Sequence, residues 1–161
     1  MLWQQDLTTS GDSIHAAFIV RDSDGIESRR EDIERGVADW AAFPVVLAIP
    51  HPEVEAWSIC GFFPATEPER NRVAAVCADI HFDPTTQSDC LVSTTDDSPK
   101  DAKRVLDRLT DGDAHRAGEC LRAPTLDHLR ARGTRNGLTR FLRELRARVV
   151  PLISGVRQPP A

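Results

Sequence analysis

Residues 15–21 (HAAFIVR) form a short run of apolar, β-branched and aromatic positions, the pattern of a buried strand. The next four residues, DSDG, are dense in turn chemistry. Ser28 stands three before Glu31, the spacing of a capping box, and Ile33, Val37, Trp40 and Ala41 then recur at helical intervals. Pro44 ends that segment, and 45–49 (VVLAI) reads as a second buried strand. Strand, helix, strand is a βαβ unit, which sets the two strands parallel in one sheet. Their unbroken apolar character predicts that both sheet faces are covered.

Further along, 53–63 reads as a short helix with Trp57 and Ile59 turned inward. Thr66 and Glu69 repeat the capping-box spacing ahead of a stripe of Val73, Ala74, Cys77 and Ile80. Residues 91–94 read as a short edge strand. SPKD at 98–101 predicts a helix start with proline at its first position, ahead of Ala102, Val105, Leu106 and Leu109. Leu126–Arg132 is a helix stopped by Gly133, and Asn136 caps a last helix whose face is Leu138, Phe141, Leu142, Leu145 and Val149. The tail, 155–161 (GVRQPPA), is expected to be disordered, and no internal repeat appears.

A length of 161 residues suits one domain with a real core. No apolar run approaches the roughly 20 residues of a membrane span. The start, MLWQQDLTTSGDS, has neither the basic nor the apolar region of a signal peptide, so a cytoplasmic location is expected. Cys60, Cys77, Cys90 and Cys120 form no CxxC pair and no histidine stands at finger spacing; reduced, structural thiols are expected. From Arg116 onward ten arginines face Glu119, Asp127 and Glu144, a net +7, which leaves −12 for the rest of a chain of net −5. That split fits a metal site beside a phosphate-facing surface, and it equally fits two ends that attract each other or a partner. No P-loop, no GxGxxG after a strand and no GxSxG elbow is present, which argues against nucleotide hydrolysis, dinucleotide redox chemistry and α/β-hydrolase catalysis.

Functional groups in open parallel sheets gather beyond the carboxyl ends of the strands. Asp22 and Asp24 leave the first strand as DxD; His51, Glu53 and Glu55 leave the second as HPEVE. On neighbouring strands these ends lie about 5 Å apart, within bridging distance of a hard cation. Carboxylates crowded together repel unless a divalent ion joins them, and oxygen-only ligands favour magnesium or manganese. Taken singly, DSDG is a common surface turn, and Glu53 and Glu55 suit the first turn of a helix.

FIVRDSDG, a helix and then VVLAIPHPEVEAW together resemble the second half of a Toprim domain. The likeness is greatest to the small prokaryotic Toprim-like proteins allied to the overcoming-lysogenisation-defect nucleases and RloB-type proteins. It covers residues 15–60, and more loosely the region of Lys100. The resemblance implies an α/β, Rossmann-like, mostly parallel sheet flanked by helices. The core would span 1–95, with a basic helical part at 96–154 packed on it. It further implies Mg2+ or Mn2+ held by Asp22, Asp24 and Glu55, with Lys100 stabilising charge on a phosphate. Glu53 is a second acid of the catalytic set, and His51 serves proton transfer or substrate contact. The usual first strand, ending in glutamate, is not found among the fourteen residues before His15. A truncated start, an element supplied by a partner and a degenerate site all remain open.

The expected function is therefore metal-dependent phosphodiester cleavage, with nucleic acid tracked by the arginine-rich C-terminal helices. The alternative is a catalytically degenerate binding or assembly subunit with a protein partner, such as a phage-defence complex.

Overall fold

A computed structural model describes residues 15–26, 28–38, 43–93 and 98–154. The predicted tail, Trp40, Ala41 and Thr94 lie outside the described residues. Strands β1 (Ala17–Val20) and β2 (Val45–Ala48) pair in parallel, Ala17 opposite Val45 and Val20 opposite Ala48. Helix α1 (Arg29–Val37) joins them, so the expected βαβ unit is present. The expected capping box at its start is not. Ser28 itself has a helical backbone (φ −73°, ψ −10°), where capping residues are normally extended, and its hydroxyl makes no cap hydrogen bond.

The sheet's two faces are covered unequally. On one, Ala17 and Ile19 join Val45, Leu47 and Ile49 beneath Ile33 and Val37 of α1. On the other, Ala48 is buried against Trp57, Cys60, Leu129 and Leu138, whereas Phe18 and Val20 are 51% and 64% exposed. The expectation of full cover thus holds for β2 and fails for β1, because no helix of the described residues lies over that half.

Helices α2 (Val54–Gly61), α3 (Glu67–Ile80), α4 (Ala102–Thr110) and α5 (Ala114–Arg122) build the main core. Ile59, Phe62, Val76, Ile80, Val105 and Leu109 are its fully buried centre. Each such side chain contributes about 1.5–3 kcal/mol by leaving water. The Thr66–Glu69 capping box forms at the start of α3 as predicted. Gly61 has the carbonyl of Cys120 pressed against its Cα, so any Cβ there would drive α2 and α5 apart.

Two expectations change. Helix α4 begins at Ala102, with Asp101 as N-cap accepting from Arg104 N at 2.9 Å; Pro99 and Lys100 stand in the turn before it. The predicted strand at 91–94 is reduced to a single parallel bridge between Val92 and Asp101. Helix α6 (Leu126–Arg132) is as expected. Helix α7 (Leu138–Glu144) continues through a π-helical turn, Leu145–Val149, into α8 (Val150–Ser154).

Side chains close the outer edge of β2. Alternate residues of a parallel strand bond to opposite neighbours, and those of β2 facing away from β1 meet charged groups. Arg148 Nη1 donates to the Val45 carbonyl at 2.7 Å and Arg30 Nη1 to that of Leu47 at 3.3 Å, while Leu47 N–H reaches Glu144 Oε2 at 3.4 Å. Arg30 and Glu144 pair with each other across the same edge.

Candidate functional site

The carboxyl ends of β1 and β2 are stitched together. Ser23 N and Asp24 N donate to the carbonyls of Pro50 and Pro52, each at 3.0 Å. Ser23 is buried, and its Oγ lies 2.8 Å from His51 Nδ1 and 3.2 Å from the Pro52 carbonyl. DSDG and HPEVE are therefore neighbours.

Their carboxylates, however, turn to different partners. Asp22 Oδ1 accepts from Val54 N at 3.0 Å, satisfying one of the free N–H groups that open α2. Asp24 is held between Arg29, 3.3 Å away, and Arg21, 3.6 Å away. Glu53, the N-cap residue of α2, is only 3% exposed, its Oε2 3.4 Å from Lys103 Nζ. Burial pushes the Glu53 carboxyl above its ordinary range, and nearby Glu55 adds to the push. Glu53, and then Glu55, hold the Lys103 ammonium charged to higher pH. Oε1 of Glu53 and Oε2 of Glu55 are both buried without a hydrogen-bond partner.

Lys100 is not at this cluster's centre. It is exposed, and its ammonium sits 5.6 Å from the centre of the Phe82 ring. The lysine that meets an acid of the second strand end is Lys103, in the first turn of α4, three residues beyond the expected Lys100. KDAK carries both lysines at the helix start, and only the true position of the N-cap, Asp101, shows which of them faces α2.

The N-cap of α7 is Gly137, not the expected Asn136, which stands one residue earlier and serves as a hub. Asn136 is buried, its Oδ1 accepts from Leu138 N, and its Nδ2 donates to Ala56 O and Ser88 Oγ at 3.2 and 2.9 Å. Its own carbonyl accepts from His51 N and Trp57 Nε1. Gly137 follows at φ +88°, with the Ile49 carbonyl where a Cβ would be, so glycine alone fits there. One polar residue thus fixes β2, α2 and α7 relative to the site.

The residues expected to hold a metal do not fit one as a set. Asp24 already has two guanidinium partners, Asp22 is tied to a helix end, and the two oxygens left over belong to Glu53 and Glu55 beside a lysine. Among the described residues no three Asp, Glu, His or Cys side chains gather to hold an ion. The arginines follow the same inward trend. Arg116 binds Glu69 at 2.6 Å, Arg140 binds Glu34 at 2.8 Å, and Arg135 lies 3.4 Å from Asp89. The basic end and the acidic body attract each other. No helix among the described residues is long and apolar enough to cross a membrane. No family model, curated protein or solved structure matches the chain.

Proposed function

We propose that the chain is a Toprim-like binding subunit of a multiprotein complex, catalytically incomplete, which takes up an extended strand of a partner protein along the outer edge of β1. The observation that carries this is the asymmetry of the sheet. With Ala17 N bonded to Pro44 O and Arg21 N to Ala48 O, the main-chain groups of Phe18 and Val20 face outward. Both of those side chains are exposed. A parallel pair of four-residue strands is a sheet below the size that is stable alone, and an edge of this kind is the usual template for an added strand. The opposite edge is closed by Arg30, Glu144 and Arg148.

Tagged full-length chain purified from its own cells is expected to retain a stoichiometric companion. The amides of Phe18 and Val20 should exchange slowly in that complex and quickly in the isolated chain. Val20→Lys, which alters only an exposed position, should release the companion and leave the melting temperature unchanged. A companion retained by Val20→Lys would overturn the reading.

One observation favours the second reading, a divalent-ion-dependent nuclease module acting on nucleic acid: DSDG and HPEVE stand side by side, Asp22 touching the first residue of α2. Incubation of plasmid, single-stranded DNA and RNA with the chain and Mn2+ separates the two. Cleavage that Asp22→Ala abolishes would establish the nuclease; no cleavage is expected.

A further inference from the structure

A cavity of about 490 Å3 lies between the end of α2, α5 and the start of α6. Its wall is chiefly apolar, from Phe63, Ala65, Ala123 and Pro124, with the ring of His128 among them. Phe63 is 63% exposed and stands edge-on to His128, ring centroids 6.4 Å apart. The charged residues of the wall already have partners: Arg116 holds Glu69 and the Phe63 carbonyl, and Glu119 lies 3.9 Å from Arg122. One polar atom does not. Nε2 of His128 is buried and has no hydrogen-bond partner. Burial, and then Arg132, hold this imidazole below its ordinary value of 6.5, so the ring is uncharged at neutral pH. The main chain of Cys60 opposes them by hydrogen bonding to the ring, and only a carbonyl accepting from the imidazole acts in that direction. That bond takes the ring's one N–H to Nδ1 and leaves Nε2 a bare acceptor.

We infer that this cavity is a socket for a tyrosine side chain of a partner protein, whose hydroxyl donates to His128 Nε2 while its ring packs against Phe63. A charged occupant is disfavoured, because neither charge lining the socket lacks a counterpart. A wholly apolar one would leave Nε2 in a drier place and still without a donor, which costs free energy. The placing of the two features selects a phenol. The acceptor is shut off from solvent and the aromatic rim stands in it, so the donor belongs at the tip of the ring that enters. Tyrosine carries its O–H there, whereas the N–H of an indole lies on the flank. Packing of ring on ring at the rim adds to the burial. The Phe63 ring, mostly in solvent, changes rotamer fast enough to admit the newcomer. The 161 residues contain no tyrosine, so the occupant comes from outside them. The socket stands apart from the β1 edge: loss of either leaves the other intact.

Titrating the full-length chain with N-acetyl-tyrosinamide, N-acetyl-phenylalaninamide and N-acetyl-tryptophanamide tests it, read by affinity and by the imidazole nitrogen resonances of His128. The tyrosine amide is expected to bind about fivefold more tightly than the other two, the scale of one net hydrogen bond, and to shift the Nε2 resonance. His128→Phe keeps a ring and removes the acceptor, so it should bind the tyrosine and phenylalanine amides equally. Phe63→Ala should weaken all three. If His128→Phe does not fold, the tyrosine preference and the Nε2 shift of the wild type decide the matter. The inference is overturned if none of the amides binds, if the tyrosine and phenylalanine amides bind the wild type equally, or if the tryptophan amide binds most tightly. It is equally overturned if the Nε2 resonance stays in place, if the preference survives His128→Phe, or if Phe63→Ala changes nothing.

Discussion

The indole N–H of Trp57 donates to the main-chain oxygen of Asn136 at 2.7 Å, and the ring of Trp57 stacks on Phe141 with centroids 5.2 Å apart. Through this pair the end of β2, the first helix after it and the last helices of the chain hold one geometry. Removing the Asn136 amide leaves Leu138 N, Ala56 O and Ser88 Oγ without that partner in a dry place. Asn136→Ala should therefore lower stability by about 2–4 kcal/mol. Urea unfolding followed by tryptophan fluorescence measures it, and a loss below about 1 kcal/mol would show that the network is not holding these elements.

Stability in acid turns on Glu69. Burial opposes its charge, but Arg116 and the N–H groups of Ala65 and Thr66 outweigh burial and hold the carboxyl below its ordinary value of 4.5. A carboxyl lowered on folding contributes stability that is present above its unfolded pKa and lost as pH falls through the folded one. Below pH 4.5 the chain should thus lose this contribution, and Glu69→Gln should flatten the acid limb of the melting curve. Glu53, raised by burial, has the opposite sign: its contribution is present below 4.5 and lost as pH rises through the higher folded value. Glu53→Gln should steepen the same limb.

The edge of β2 depends on Glu144, which pairs with Arg30 and lies within reach of Leu47 N–H. Both side chains of the pair are mostly buried. Glu144→Ala should cost about 1–3 kcal/mol, since it removes a mostly buried partner from Arg30, which keeps Glu34 and the Leu47 carbonyl, and leaves Leu47 N–H without an acceptor. In a double-mutant cycle with Arg30→Met, much of that loss should disappear; additive losses would mean the two residues act independently.

Thiol chemistry should single out Cys90. Burial pushes the thiols of Cys60, Cys77 and Cys120 up, which keeps them protonated and slow, whereas Cys90 is exposed. Iodoacetamide on the native chain, read by mass spectrometry, should label Cys90 before the other three.

What the sequence disclosed was local or followed from connection rules. Leu126–Arg132 was legible because Gly133 stops it, and the neighbourhood of DSDG and HPEVE followed from the βαβ crossover. Helix α5 was not foreseen, since its face offers chiefly Cys120 and gains its place only where the chain at Gly61 runs bare against it. The partners of the acids were equally hidden. Arg29 and Lys103 lie on α1 and α4, and which side of a helix meets a strand end depends on packing that spacing does not encode. The arginine-rich end left two readings open; Arg116, Arg135 and Arg140 pair with acids of the body, which spacing along the chain does not reveal.

Closing one border of the sheet with Arg30, Glu144 and Arg148 leaves β1 as its one open border among the described residues. The proposed strand addition through β1 would use up the open border of each participant, and among the described residues no second one is offered. Association by this route would terminate at a pair or a fixed complex and would not propagate into a fibre. A chain with an aromatic, β-branched rim can thus keep it available for a partner without the hazard of run-on polymerisation.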